Sequence, residues 1–277
     1  MNEYTTIRVE SHDRVATVTM EAPEHYRTPT MARAWELGTA FSELRGDNTV
    51  RVVVLTGEGG AFGLAPSADS YASGRATRNG TDPHGSWLTF TGIVRCHQTM
   101  AEMEKPILAK VNGDAIGFAQ SLALACDLIV ATEDARFMDH HMGGSITAMQ
   151  FGHTSQIGSE QFCAVPGDGG MALLPLFMTP VKAKEALMLA KSYSGVELAR
   201  MNVINYAVSA DQLDAKVDEL VQALLQRNAS TLAWTKRVVN RHVVNQLNLT
   251  LDASVAYEMA YFGQQLHTGG VNHTTLA

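Results

Sequence analysis

The stretch KPILAKVNGDAIGFAQSLALACDLIVATEDARF, residues 105–137, contains the clearest secondary-structure signals of the chain. Its apolar run Ile107–Val111 predicts a buried strand that ends at a turn formed by Asn112 and Gly113. The Ala-rich segment after this turn predicts a helix, and residues 128–131 predict a second buried strand. The order strand, helix, strand indicates an α/β protein.

The flanking sequence extends this pattern in both directions. The first 20 residues alternate between apolar and polar positions around a turn, which predicts a hairpin. A helix capped by Thr30 and a buried strand at residues 50–56 follow, and a helix at 87–104 precedes the central stretch. Apolar stripes then predict four more helices, at residues 183–191, 212–226, 230–244 and 251–265.

Composition excludes several classes of protein. The 277 residues are 45% hydrophobic, which is enough for a packed core, and the formal net charge of −7 argues against a nucleic-acid or anionic-membrane partner. No apolar run is long enough to span a bilayer. The three cysteines form no disulfide framework, and the first residues resemble neither a secretory signal nor a transit peptide. We therefore expect a cytoplasmic protein.

Three segments in a fixed order carry a resemblance to a known family. RVVVLTGEGGAF at residues 51–62 and VPGDGGMALLPLFMTPVKAKEALML at 165–189 stand on either side of the 105–137 stretch. Together they resemble the crotonase (enoyl-CoA hydratase/isomerase) superfamily over nearly the whole chain. The resemblance implies a ClpP-like α/β fold in which a repeated ββα core, residues 1–200, forms two roughly perpendicular sheets surrounded by helices. It also implies a C-terminal helical region, residues 201–277, that assembles a homotrimer or a hexamer.

The resemblance also implies an oxyanion hole made of two backbone N–H groups. Phe118 occupies the position of the second donor, at the start of the Ala-rich helix. Counting from Phe62 places Pro66 at the first donor, and proline has no N–H. If the loop carries a short insertion, Ala68 becomes the first donor; otherwise the hole is damaged.

The family's two catalytic glutamates are both replaced in this chain. Ser121 stands at the first position and His141 at the second, so hydration by paired carboxylates is not expected. His141 is a candidate acid–base group, whereas the neighbouring His140 is a pocket or structural residue. Adjacent histidines on a strand end point in opposite directions, and no recognised metal motif is present, so we predict no metal site.

Two carboxylates complete the set of candidate residues. Asp168 lies within a Pro-Gly-x-Gly-Gly turn, where it is a helix cap or, as in non-hydratase members of the family, a catalytic residue. Glu258, on the last predicted helix, resembles a glutamate that reaches the pocket in the 6-oxocamphor hydrolase group.

Three functions remain open at this point. The first is an enzyme that stabilises the enolate of an acyl-CoA substrate, as an isomerase or a hydrolase, with CoA as part of the substrate and no other cofactor. The second is a CoA-independent hydrolase that cleaves a carbon–carbon bond of a cyclic 1,3-diketone by a reverse Claisen reaction. The third is an inactive family member that serves as a binding or assembly protein.

Overall fold

The computed structural model of this chain describes residues 4–22, 33–63, 83–139, 141–142 and 165–267. Within these residues nine strands form two sheets. A six-stranded sheet has the order β1-β2-β3-β4-β6-β9, and a three-stranded sheet has the order β5-β7-β8. The strands are β1 (Ile7–His12), β2 (Val15–Met20), β3 (Val52–Gly57), β4 (Ile107–Val111), β5 (Ala115–Ile116), β6 (Leu128–Thr132), β7 (Arg136–Met138), β8 (Tyr193–Ser194) and β9 (Tyr206–Val208).

Helices cover these sheets and continue beyond them. Two precede residues 105–137, one lies inside this stretch, and the other six follow residue 169. They are α1 (Arg33–Gly46), α2 (Pro83–Glu102), α3 (Phe118–Leu124), α4 (Gly170–Phe177), α5 (Pro180–Met188), α6 (Gly195–Arg200), α7 (Leu213–Leu225), α8 (Ala229–Val239) and α9 (Arg241–His267). Thr30, the predicted cap of the first helix, lies outside the described residues.

The central strands are buried on both faces, which explains their uninterrupted apolar sequences. All six residues of β3 are buried, and β3 pairs in parallel with both β2 and β4. One face of the large sheet packs into the main core with α1 and α2. The other face packs against α7 through Leu213, Val217 and Val221. The α/β class and the opening hairpin predicted from the sequence are therefore confirmed.

Some boundaries predicted from the sequence are wrong. The helix before the central stretch begins at Pro83 rather than at residue 87. The sequence predicted a break at residues 245–250 between the last two helices, but the break lies at Asn240, where α8 ends. The side chain of Asn240 donates a hydrogen bond to the carbonyl of Ala101. Residues 245–250 continue α9 because Leu247 and Leu251 carry its buried stripe through them. The two-residue strand β5 is too short for periodicity to detect.

Candidate active site

The turn that follows β4 is fixed to the loop that follows β3. The side-chain amide of Asn112 donates hydrogen bonds to the carbonyls of Gly57, at 2.9 Å, and of Gly59, at 2.8 Å. Gly113 lies directly against the carbonyl of Gly60, so that a methyl group at this position would overlap it. These contacts join the loop after β3 and the turn after β4 in one unit.

Phe118 begins α3 immediately after this unit. Gly117 precedes it with φ of 60°, a left-handed conformation that glycine adopts without strain. The N–H of the first helical residue has no partner within the helix, and that of Phe118 has none elsewhere in the described residues. The half-buried ring of Phe118 packs edge-on against the imidazole of His97, with the ring centroids 5.7 Å apart. The oxyanion role of this N–H stays a prediction, and its lack of a partner in the described part of the chain agrees with it.

The Pro-Gly-Asp-Gly-Gly turn before α4 uses its glycines to admit side chains from other parts of the chain. Gly167 lies against the carboxylate of Glu258, which reaches the turn from α9. Gly169, with φ of 119°, lies against His97 of α2 and Ser121 of α3. The space that these glycines leave brings separate elements together around the side chain of Asp168.

His141 and three carboxylates form a buried cluster at this turn. The Nδ1 atom of His141 lies 2.8 Å from Oδ1 of Asp139. Its Nε2 atom lies 3.8 Å from Oδ2 of Asp168 and 3.5 Å from Oε1 of Glu258. All four side chains are at most 8% exposed. The cluster is therefore arranged so that one imidazole contacts three carboxylates away from bulk water.

Burial and mutual charge shift the acid–base properties of this cluster. Burial raises the pKa of Asp168 to about 7, and the neighbouring carboxylates of Asp139 and Glu258 add to this effect, whereas the charge of His141 opposes it. Burial alone would lower the pKa of His141, but the charges of Asp139 and Asp168 outweigh it and hold this pKa well above its usual value. At neutral pH the cluster can therefore both accept and release protons.

Ser121 lies in α3, one turn after Phe118, and its side chain contacts Asp168. Its hydroxyl is fully buried and donates a 3.4 Å hydrogen bond to Oδ1 of Asp168. This contact places the Asp168 carboxylate against α3, the helix that begins at Phe118. The structure brings together four predicted site residues and the predicted donor: Asp168, His141, Glu258, Ser121 and Phe118.

Two members of the site were not found in the sequence. Asp139 precedes His141 by two residues, a spacing that has no periodic or motif signal of its own. His97 lies in α2, where its Nδ1 atom bonds the carbonyl of Ile93 at 2.8 Å and burial lowers its pKa to about 4. The sequence alone cannot distinguish a histidine of the site from a histidine of the core. The contact between His97 and Gly169, which identifies it as part of the site, is visible only in the structure. Three residues discussed from the sequence, Ala68, Pro66 and His140, lie outside the described residues, as do residues 143–164.

The donor atoms of Asp139, His141 and Asp168 lie within 4.8 Å of one another, a spacing that a divalent cation could use. However, Oδ1 of Asp139 already accepts two hydrogen bonds from His141, one from its backbone N–H at 3.0 Å and one from its ring. These two bonds occupy Oδ1 of Asp139 within the cluster. In the described residues, no helix is both long and apolar enough to span a bilayer.

These features define the class of the chain, an α/β protein with a buried acid–base cluster at the turn before α4. Its residues 10–272 match the enoyl-CoA hydratase/isomerase family, and the chain belongs to this family of crotonase-fold enzymes. It is 26% identical to a probable peroxisomal enoyl-CoA hydratase of Arabidopsis thaliana over 90% of this chain and 83% of that protein.

Two solved structures illustrate the shared fold. An enoyl-CoA hydratase/isomerase from Mycobacterium paratuberculosis superposes with a TM-score of 0.80 and 22% identity over 98% of this chain and 99% of its own. A beta-diketone hydrolase from the cyanobacterium Anabaena, bound to (S)-3-oxocyclohexyl acetic acid, superposes with a TM-score of 0.73 and 21% identity over 92% and 93% of the two chains. The predicted crotonase fold is confirmed.

Proposed function

We propose that this enzyme moves a proton between carbon atoms of an acyl thioester through an enolate, and that it is an isomerase rather than a syn-hydratase. The observation that carries the proposal is the buried cluster in which Nε2 of His141 lies 3.8 Å from Asp168 and 3.5 Å from Glu258. Ser121, where hydratases have a glutamate, cannot hold and activate the attacking water as a carboxylate does.

The reaction needs one general base and one hydrogen-bond donor that stabilises the negative charge of the enolate oxygen. The Asp168 carboxylate removes a proton from the carbon next to the thioester carbonyl or from its vinylogous position. The electron pair moves onto the carbonyl oxygen, and the resulting enolate accepts a hydrogen bond from the N–H of Phe118. The carboxylic acid of Asp168 then returns the proton to the other carbon, and the double bond shifts without any net gain or loss of atoms.

The acid–base balance of the cluster suits this role. A carboxyl group with a pKa of about 7 is ionised in part of the molecules at neutral pH and remains a strong enough base when ionised. His141, positively charged beside it, stabilises the ionised form of Asp168. Such a matched pair serves reversible proton transfer better than a fully ionised carboxylate would.

The direct test is turnover of a 3-enoyl-CoA, followed by the ultraviolet absorbance of the conjugated 2-enoyl-CoA product. We expect Asp168→Asn to lower kcat by about 100-fold or more, since a general base typically contributes this much. The matched control is Asp134→Asn, because Asp134 is an exposed aspartate in the turn after β6. Unchanged turnover in Asp168→Asn would contradict the proposal and favour a non-catalytic role for the turn.

A second candidate function is favoured by the hydrogen bond between Asp139 and His141. An aspartate on Nδ1 directs Nε2 into the site, and this is the arrangement by which a neutral histidine activates water. Water added to one carbonyl of a cyclic 1,3-diketone would break the adjacent carbon–carbon bond, leaving a carboxylic acid and an enolate that becomes a ketone. Neither step needs CoA.

Calorimetry separates the two candidates before any activity is known. Micromolar binding of CoA, acetyl-CoA or acetoacetyl-CoA would support the thioester isomerase. No heat at millimolar ligand would contradict it, and the loss of enol absorbance from cyclic 1,3-diketones would then be measured as the test of the hydrolase.

A further inference from the structure

Asp139 contacts His141 in a way that fixes both the ring and its protons. The aspartate lies directly after β7 and is 2% exposed. Its Oδ1 atom accepts hydrogen bonds from the backbone N–H of His141 at 3.0 Å and from the ring atom Nδ1 at 2.8 Å. Because one oxygen holds the backbone and the ring of the same residue, the ring cannot rotate about its side-chain bonds without losing a buried hydrogen bond.

This geometry determines which ring nitrogen faces the other carboxylates. A carboxylate accepts hydrogen bonds, so the nitrogen beside Asp139 must carry a hydrogen. The opposite nitrogen, Nε2, is then the atom that points at Asp168 and at Glu258. A neutral imidazole in this position has its lone pair on Nε2, and a charged one has its exchangeable proton there.

We propose that Asp139 is a positioning residue that holds the Nδ1–H of His141, so that Nε2 is the atom through which His141 exchanges protons with Asp168 and Glu258. The inference deepens the proposed function and rests on it for the catalytic meaning of that exchange. The charged and titratable groups that face His141 in the described residues are Asp139, Asp168 and Glu258. His97, from α2, faces the same turn through Gly169 and is neutral.

The other oxygen of Asp139, Oδ2, is positioned by packing against the backbone of Gly170 rather than by a hydrogen bond. Oδ2 is buried and has no hydrogen-bond partner among the described residues. It lies against Gly170, where an added methyl carbon would be 2.6 Å from it. Gly170 is the first residue of α4, and the positive end of a helix stabilises a nearby anion. Glycine at this position therefore leaves room for the carboxylate in the orientation that His141 needs.

The test follows the titration of His141 by NMR of the full-length protein labelled with nitrogen-15 in its histidines. Loss of one resonance in His141→Gln assigns the signal. We expect Asp139→Asn to lower the titration midpoint of His141 by about one pH unit or more, since a buried opposite charge is removed. Asp134→Asn, the exposed control, should leave the midpoint where it is in the wild type. An unchanged midpoint in folded Asp139→Asn would overturn the proposal.

A second variant disturbs the contact between Asp139 and His141 without changing any ionisable group. Gly170→Ala should push Oδ2 aside and lower the His141 midpoint in the same direction, by less than Asp139→Asn does. An unmoved midpoint in this variant would also count against the proposal. Neither measurement needs a substrate, so a lowered midpoint in a protein that turns over no thioester would leave Asp139 as the positioning residue and refute only the proposed function.

Discussion

The turn at Asn112 and Gly113 and the turn at residues 166–170 both depend on glycine, but their glycines make room for different things. In the first turn, Gly113 allows one stretch of backbone to lie against another, at the carbonyl of Gly60. In the second turn, Gly167 and Gly169 allow side chains to lie against the backbone, namely Glu258, His97 and Ser121. The first turn contributes a backbone donor, and the second contributes ionisable side chains.

This difference separates what the fold supplies from what the individual sequence supplies. Any residue except proline at position 118 supplies a backbone N–H at the start of α3, so this donor depends on the fold rather than on a particular side chain. The acid–base groups depend on which side chains reach the second turn, and those can change without altering the fold. One scaffold can therefore hold hydratases, isomerases and hydrolases.

The largest expected effect tests the claim that the first turn acts through its backbone. Phe118→Pro removes the N–H while proline is well tolerated at the first position of a helix. We expect kcat for the 3-enoyl-CoA reaction to fall by about 100- to 1000-fold, the usual cost of one oxyanion-hole donor. Turnover of the purified variant, with circular dichroism to verify folding, measures this effect.

Phe118→Ala is the matched control, since it keeps the N–H and removes only the ring. We expect its kcat to stay within about tenfold of the wild type, with some loss of stability from the missing contact with His97. If the alanine variant lost as much activity as the proline variant, the ring rather than the backbone would be the functional part of Phe118.

The next effect in size concerns the space in the second turn. Gly169→Ala would force a side chain into a backbone with φ of 119° and against His97, with its methyl carbon 2.7 Å from Nε2. We expect the free energy of unfolding to fall by about 2 to 3 kcal/mol, measured in urea. Gly59→Ala is the control, because Gly59 also has a positive φ, of 67°, but nothing lies within 4 Å of the added carbon. A similar loss in both variants would mean that backbone strain alone, rather than packing, determines the cost.

The two turns also differ in how far the sequence alone predicts them. The first could be located from residues 105–137, because a strand, a glycine turn and an Ala-rich helix are consecutive and each has a local signal. The position of Phe118 at the start of the helix followed from counting along this segment. Its role required only the backbone, so no distant residue had to be known.

The second turn could be predicted only in part. The position of Asp168 follows from its glycines, but its neighbours come from α2, α3, α9 and the end of β7, which no local pattern connects. Asp139 and His97 were missed for this reason: each is defined by its contacts with other side chains of the site, which no local signal reveals. Glu258 was found through resemblance, and its contact with Gly167 is what explains how a residue of the last helix reaches the site.

The smallest expected effect is a pH dependence of the unfolding free energy, which arises from Asp168 in the second turn. The pKa of Asp168 is about 7 in the folded chain, above its ordinary value of 3.8, so the folded state binds a proton here that the unfolded state has released between these pH values. The stability from this group is therefore fully present below about pH 4 and is lost as the pH rises through about 7.

The amide introduced by Asp168→Asn cannot titrate, so this variant should become more stable relative to the wild type between about pH 4 and pH 7. We expect the difference in unfolding free energy to change by about 1.4 kcal/mol for each pH unit within this range, because one pKa unit corresponds to about 1.4 kcal/mol. Urea unfolding of both proteins at several pH values measures it, with Asp134→Asn expected to follow the wild type. A constant difference between Asp168→Asn and the wild type across this range would mean that Asp168 is ionised throughout, and the second turn would then hold a structural anion rather than a proton-transfer group.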